Sequence, residues 1–279
     1  MRSPWFGHFL VSVPFLNYGG PLGPPASVRR LAERAVALAE RDGVRLLELR
    51  SRAPLELDLP VSHRKVTVLL DLPPEDPDLL WNAFPAKLRS QIRRPRKEGA
   101  VVRFGPDQLG PFYDVFTRNM RDLGTPTLPR RFFENIREVF PDSATFGCVY
   151  MDGLPVAAGA GFRWAGEFEL TWASSLREYN RKAPNMLLYW GLMERAIRDG
   201  LAVFNFGRCT PGGGTHRFKL QWGGRDEALW WYHHSPGRQV VATPTPDANR
   251  AFALGTRLWK TLPLPVANRL GPLLASHIP

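Results

Sequence analysis

Residues 204 to 224 read FNFGRCTPGGGTHRFKLQWGG, and this run gathers side chains able to do chemistry, Arg208, Cys209, His216 and Lys219, around three consecutive glycines. Lys219 alternates with Phe218 and Leu220, so on an extended strand its side chain leaves the face that its two apolar neighbours bury. On an outer face it is a solubilising charge; facing inward it is a fixed cation for the oxyanion that develops in acyl transfer. The planar fork of Arg208 suits a carboxylate or phosphate, and equally a structural salt bridge. Cys209 and His216 could act as thiol and base, but a lone pair seven positions apart carries no nucleophile signature. Gly212-Gly213-Gly214 lacks the spacing and the following Lys-Ser/Thr of a nucleotide P-loop, and reads as a flexible lid or a point of close backbone approach.

Acyl transfer to a nucleophile that carries a proton also needs a proton acceptor. Tyr179, Glu178 and Asp122 qualify by type, and each serves as well as a surface or hydrogen-bonding residue. Trp172, Ser174 and Ser175 close a strand beside the expected cleft; Trp172 reads first as core, the serines as polar contacts or helix caps.

The elements that must hold these residues follow from the apolar pattern. Ala202 to Phe206 predicts a strand, Gly207 to Gly214 interrupts it, and Thr215 to Trp222 is expected to be extended again, with Lys219 on it. Upstream, 167 to 173 (EFELTWA) predicts a strand, Pro184 starts a helix carrying Met186, Trp190, Met193 and Ile197, and Gly200 ends it. The same order stands near the start: a strand over 8 to 15, then a helix capped by Ser27 with Val28, Leu31, Ala35, Leu38 and Ala39 apolar. Gly43 stops that helix before the strand VRLLELR. Each β–loop–α–β unit requires parallel strands joined by a right-handed crossover. RDGVRL is echoed by RDGLAV and SHRK by THRFK, which points to an internal duplication. The second copy adds helices near 107 to 121 and 130 to 139, a strand over 145 to 151, an Asp152-Gly153 hairpin turn and a strand over 154 to 164. Met1 stands almost on the first copy's strand, so that domain is either naturally short or has lost its start. The expected layout is an incomplete first domain (1–86), a basic connection (87–99), a second domain (100–235) and a proline-rich, partly helical tail (236–279).

With 279 residues, 44% of them apolar and 11% aromatic, the chain can build a sizeable core. Its 37 Lys and Arg against 26 Asp and Glu leave a net charge of +11, which favours polyanions such as RNA, nucleotide-linked substrates or an acidic membrane face. Two cysteines and six scattered histidines offer no metal-ligand spacing, so no metal is expected. Pro14, Asn17 and the lack of a small-residue cleavage pattern argue against a signal peptide, and no run has the length of a membrane span. A cytoplasmic location is expected, with contact at the inner membrane face left open. In KLRSQIRRPRKEG, Arg89, Arg93, Arg94, Arg96 and Lys97 form either a solvated helix face or a phosphate- or RNA-binding patch. The tail's apolar-basic pieces, broken at Pro263, Pro265 and Pro272, either dock on the body or lie on an anionic bilayer.

The runs LRSQIRRPRKEG, RNMRDLGTP, WASSLREYNRKAPNMLLYW, FNFGR and GTHRFKLQWG together resemble the FemAB-type branch of the GNAT acyltransferase superfamily, in particular FemAB-related proteins of exosortase/PEP-CTERM systems. The likeness covers nearly the whole chain. It implies an α/β (α+β) fold of tandem GNAT-like domains with mixed, largely antiparallel sheets, the first domain shorter than usual. It implies an acyltransferase forming an amide on an amine-bearing cell-envelope or exopolysaccharide precursor. Phe218-Lys219 looks like the Phe-Lys pair that supplies a lysine to the transition state in such enzymes, and Asn119, Asp122, Thr125 and Pro126 resemble the substrate-side loop. The segment from Ser174 to Asn185, with Tyr179, Asn180 and Asn185, would shape the cleft. A CoA-dependent GNAT carries an Arg/Gln-x-x-Gly-x-Gly/Ala loop that holds pyrophosphate on backbone N–H groups. Here the place reads REYNRKAPN, without glycine. Aminoacyl-tRNA is therefore the expected donor and acyl-CoA the second, with no tightly bound cofactor; a non-catalytic adaptor of polymer export is the reading from another class.

Overall fold

The computed structural model describes residues 1–3, 7–237 and 250–277. Its first unit is β1 (Arg2–Ser3), β2 (Gly7–Val11), α1 (Pro25–Arg41) and β3 (Leu46–Ser51). β2 and β3 are parallel, with Phe9 opposite Leu46, as a crossover through a helix demands. Pro24 rather than Ser27 is the N-cap of α1: Pro25 opens the helix, where a missing N–H costs nothing, and Ser27 lies inside its first turn. Val28, Ala32 and Ala39 are buried against the sheet, whereas Leu31 is exposed.

The chain continues through β4 (Val61–Ser62), β5 (Val66–Asp71), α2 (Pro77–Ala83), α3 (Ala86–Lys97), β6 (Val101–Phe104), α4 (Leu109–Leu123) and α5 (Arg130–Val139). Then come β7 (Ala144–Met151), β8 (Leu154–Trp164), β9 (Glu167–Ser175), a 3-10 turn (Arg177–Lys182), α6 (Pro184–Arg198) and β10 (Val203–Cys209). The last elements are α7 (Gly214–Leu220), β11 (Arg225–Ala228), β12 (Trp230–His234), α8 (Arg250–Thr261) and α9 (Leu264–Ala275). Two sheets result, one of five strands ordered β1-β2-β3-β12-β4 and one of seven ordered β11-β5-β10-β9-β8-β7-β6. In the larger sheet only β9 and β10 pair in parallel, so it is mixed and largely antiparallel.

The sheets do not part at residue 86. β5, five of whose six residues are buried, runs between β11 and β10 in the larger sheet, while β12 returns to pair with β3, Tyr232 opposite Leu49. A continuous apolar run such as VTVLL belongs in a sheet interior, covered on both faces. The stretch from Thr215 to Trp222 is likewise not extended: residues 214 to 220 form α7. Its buried positions, His216 and Lys219, recur at helical spacing, and Phe218 meets Trp222 with ring centres 6.3 Å apart. The SHRK and THRFK echoes therefore sit in unlike structures, a short strand leading into coil and a helix.

The basic connection is the amphipathic helix α3, whose Leu88, Ile92 and Pro95 are buried. Leu88 and Ile92 join the main core with Trp190, Met193 and Ile197 of α6. The first part of the proline-rich tail, 238–249, lies outside the described residues. The rest docks on the body: Arg121 donates to the Leu262 carbonyl at 2.9 Å, Trp259 is buried, and Ala275 packs into the cluster of Phe112 and Phe133. Pro263 and Pro265 mark the start of α9, but Pro272 lies within it and does not end it.

Polar side chains tie the two sheets together. Arg52, just after β3, donates to both oxygens of Glu167 at 2.9 and 2.7 Å and also pairs with Glu227. Asn17 and Tyr18 donate to Glu169, and Asn205 donates to Glu167 at 2.7 Å and to the Tyr18 hydroxyl at 3.0 Å. Burial, reinforced by Glu169, holds the Tyr18 phenol protonated far above its ordinary range. Ile92 is fully buried, so Ile92→Ala is expected to cost about 2–5 kcal/mol in a denaturant melt by leaving a cavity under α3.

Candidate active site

The site begins where two parallel strands separate. β9 and β10 pair only from Val203↔Glu167 to Asn205↔Glu169, and β10 then bulges against β5 between Asn205 and Arg208. Gly207 makes the turn with φ 72°, and a Cβ there would stand 2.9 Å from the Leu170 carbonyl oxygen, so only glycine fits. Asn205 Oδ1 accepts the Gly207 N–H at 2.8 Å and the Thr67 hydroxyl at 2.5 Å. The carbonyls of Gly207 and Arg208 turn instead to Lys219, whose Nζ donates to them at 2.5 and 3.0 Å. Lys219 is 4% exposed, and burial, with Arg208 adding to it, lowers its ammonium pKa to about 8.

Beside this point a cavity of about 370 Å³ opens between the end of β9 and the first turns of α6 and α7. Asn119 of α4, Ala173, Ser174 and Ser175 of β9, Asn185, Leu188 and Tyr189 of α6, and Gly214, Thr215 and Phe218 of α7 line it. None of them is charged. Asn119 donates to the Ser174 hydroxyl at 3.1 Å, and the Ser175 hydroxyl to Asn180 Oδ1 at 3.1 Å. Tyr189, 8% exposed, stacks on Phe206 and Trp222 and meets Phe218 edge-on; its hydroxyl has no hydrogen-bond partner among the described residues. Burial pushes that phenol well above its usual range, so it is a donor throughout neutral pH.

The structure thus brings together Asn119, Ser174, Ser175, Asn185 and Phe218, with Asn180 touching the group through Ser175. Lys219 does not line the cavity: it leaves the same helix toward the β10 carbonyls. Arg208 lies on the Trp231 ring, its Cζ 5.1 Å from the centroid, away from the cavity. Trp172 belongs to an aromatic cluster with Phe132, Phe133 and Phe162, and Tyr179 packs against both cores of the second unit. Asp122 pairs with Arg121 at 2.7 Å and Glu178 with Arg118 at 3.0 Å, so none of the three sequence-based proton acceptors reaches the cavity. Thr125 is an exposed turn residue whose N–H closes on Met120.

On α3, Arg89 is half-buried and Arg93, Arg94, Arg96 and Lys97 are exposed. Arg93 lies over Trp81, and Arg94 and Arg96 stand 3.8 and 3.7 Å from Glu98 and Glu194. A Cys209–His216 dyad is excluded: His216 Nδ1 accepts the Gly212 N–H at 3.0 Å and Nε2 meets Asp226 at 2.9 Å. With Nδ1 accepting, Nε2 is the nitrogen that donates to Asp226. The same bond, with Arg217 donating to the Gly212 carbonyl at 2.6 Å, pins the glycine loop.

Sequence reasoning missed Leu188, Tyr189 and Thr215. Asn185, Leu188 and Tyr189 share a face at helical spacing, a signal masked by the apolar pattern of a helix buried almost all round. At the head of α6, Ala183 sits at φ 55° and its N–H closes on Asn180 at 3.1 Å; Pro184 has none, and the Met186 N–H returns to Ala183 at 3.0 Å. Among the described residues no His, Cys, Asp and Glu cluster could hold a metal ion, and no helix is long and apolar enough to cross a membrane.

Residues 84–220 match the family model of the acetyltransferase (GNAT) domain. That stretch runs from α3 to α7 and holds every lining residue of the cavity. No curated protein matches the sequence. Among solved structures, L-PGS from Bacillus licheniformis superposes with a TM-score of 0.60 at 14% identity, covering 92% of this chain and 84% of that one. A C-terminal DUF2156 domain from Agrobacterium fabrum gives 0.60 at 14%, covering 93% and 86%, and FemX gives 0.58 at 14%, covering 83% and 82%. The two units are tandem GNAT-like domains, the first without the α4, α5 and hairpin counterparts of the second. Gly207→Ala forces a Cβ against Leu170 in a left-handed conformation, and is expected to cost about 1–3 kcal/mol in urea melts.

Proposed function

We propose that this protein is an acyltransferase that takes an aminoacyl group from aminoacyl-tRNA and forms an amide on an amine-bearing cell-envelope or exopolysaccharide precursor. The observation that carries this reading is the Lys219 ammonium, held out of water at the parting of β9 and β10 on the helix that also lines an uncharged cavity. An ammonium has three N–H groups. Two meet the Gly207 and Arg208 carbonyls; on this reading the third turns to the substrate, whose reacting ester must then pass beyond the cavity lining to the parting of the strands. In the reaction the neutral acceptor amine adds to the ester carbonyl carbon, and the oxygen gains a negative charge that the lysine stabilises. The amine gives up its proton, the carbon–oxygen ester bond breaks, and the ribose hydroxyl leaves carrying a proton. Ser174, Asn119 and Tyr189 supply hydrogen-bonding groups for the part of the substrate that enters the cavity.

The start of α6 supports an ester donor over acyl-CoA, because Pro184 lacks an N–H and those of Ala183 and Met186 are bonded within the turn, which leaves the single N–H of Asn185 where a pyrophosphate cradle needs several. FemX, which shares the fold, bears the name of the Fem branch that the sequence resembles, and the Agrobacterium fabrum domain comes from a protein described as a lysylphosphatidylglycerol synthetase. The exosortase and PEP-CTERM setting has no counterpart among these structures. A tRNA donor goes with a cytoplasmic location, and the docking of α8 and α9 on α4 favours a structural role for the tail over a membrane anchor.

Turnover assays with charged tRNA and with acyl-CoA, each with candidate amines, identify the donor. Lys219→Ala is expected to lower kcat on the order of a hundredfold, and unchanged turnover in a folded variant would falsify the role of the lysine. Since the ammonium titrates near 8, the rate should fall as pH rises through that value. Its folded pKa lies below the ordinary 10.5, so the unfolded chain holds more protons between those values, and this group's contribution to stability rises with pH there. Loss of rate in that window without loss of fold, followed by parallel rate and circular-dichroism profiles, separates chemistry from unfolding.

A further inference from the structure

At the end of the larger sheet away from the cavity beside Lys219, a second hollow of about 150 Å³ lies where β7 and β8 meet the last turns of α5 and α6. Three arginines from three elements line it: Arg137 in the last turn of α5, Arg163 near the end of β8 and Arg195 in the last turn of α6. A basic residue in the last turn of a helix complements the helix dipole. That accounts for Arg137 and Arg195 one at a time, and not for their sharing a hollow with a third guanidinium carried by a strand.

Carboxylates do not satisfy the three. Arg163 and Arg195 share Asp199 at 3.6 and 3.5 Å, and Arg195 Nε is buried without a hydrogen bond among the described residues. Arg137, half-buried, has neither an ion pair nor a side-chain hydrogen bond among the described residues. Asp142 is the one acidic side chain in the lining; its carbonyl oxygen accepts from Arg163 Nε, and its carboxylate forms no ion pair among the described residues. Three arginines against Asp142 and Asp199 leave one positive charge in excess. Thr145 adds a hydroxyl to the lining, and Pro106, Pro141 and Phe146 add stiff apolar walls. Arg195 lies over the Phe104 ring, its Cζ 5.5 Å from the centroid, which fixes the plane of its N–H fork. Buried N–H groups without acceptors are costly, and an oxyanion brings acceptor oxygens and negative charge at once.

We propose that Arg137, Arg163 and Arg195 form a binding site for a small tetrahedral oxyanion, inorganic phosphate or the phosphate of a monoester, at the end of the second unit remote from the catalytic cavity. The hollow has less than half the volume of that cavity, which suits one phosphate group. Arg195 stands ten residues beyond Asn185, about 15 Å along α6, so the anion does not reach the reacting groups. Its effect is on the frame. Phe133 of α5 packs in one core cluster and Met193 and Ile197 of α6 in the other, and an anion bonded to Arg137 and Arg195 joins these two layers across the end of the sheet. The same layers carry Asn119 and Asn185 to the catalytic cavity.

The test is calorimetric titration of the whole protein with inorganic phosphate, glycerol 3-phosphate and succinate in a low-salt buffer free of other oxyanions. Phosphate is expected to bind, more weakly as salt is added, and Arg137→Gln and Arg195→Gln should each raise its Kd about tenfold or more. Arg30→Gln removes the same charge from an exposed position on α1 and should leave Kd unaltered. Phosphate should also raise the Tm of the native protein and of Arg30→Gln, and not that of Arg137→Gln, which is expected to fold because Arg137 makes no ion pair to lose. Equal affinity for glycerol 3-phosphate marks a monoester site whose substituent faces solvent, and a preference for the free ion assigns the site to inorganic phosphate. No phosphate binding, or binding that survives both substitutions, overturns the site. So does succinate binding that depends on Arg137 without any affinity for phosphate, which would assign the arginines to a carboxylate. None of these readouts uses turnover, so the anion site and the acyltransferase reading stand or fall separately.

Discussion

A buried carbonyl must find a donor, and at the parting of β9 and β10 that rule shapes the molecule. Once the parallel ladder stops at Asn205, the oxygens of Gly207 and Arg208 have lost the strand that would have served them. Water is shut out there, so a side chain must reach in. Lys219 does so from α7, which is why α7 lies where it does and why its Phe218 and Thr215 come to wall a cavity. One requirement of backbone chemistry thereby places a cation, a glycine turn and a concave surface within a few residues of each other.

The rest of the molecule keeps that opening from closing. Glu167 and Glu169 stand on the stretch of β9 still paired with β10, and both are held from the far side by Arg52, Asn17 and Tyr18. Behind them α6 presses Phe204 and Phe206 into the main core. Asn205 is the hub between these layers, bonded to Thr67, Tyr18, Glu167 and the Gly207 N–H, so the bend in β10 is set by side chains from both sheets.

Much of this was legible in the sequence. The strand over 154 to 164, the helix over 130 to 139, the Asp152-Gly153 turn and both β–loop–α–β units stand where periodicity and glycine stops put them. The larger miss was α7. A seven-residue helix carries too few turns for its period to beat an apparent alternation, and Phe-Lys-Leu reads as strand until Trp222 is seen to meet Phe218 across one turn. Residue choice in the site was half legible. Asn119, Ser174, Ser175 and Asn185 were found, because polar groups at element ends stand out against an apolar run. Tyr189 was hidden within a helix buried on nearly every side, where one hydroxyl does not disturb the pattern. Trp172 was lost to the opposite effect, an aromatic beside the cleft that the core of α5 claims.

The exchange of β5 and β12 between the sheets bears on how the chain is made. β3 needs β12 on its inner edge, and β4 has no other neighbour, yet β12 lies some 180 positions after β3. During synthesis the amino-terminal sheet must therefore wait, half assembled, until His234 has left the ribosome. Pairings so distant in sequence slow the search for the native state, and severing the chain between α2 and α3 would yield two fragments each missing a strand the other holds.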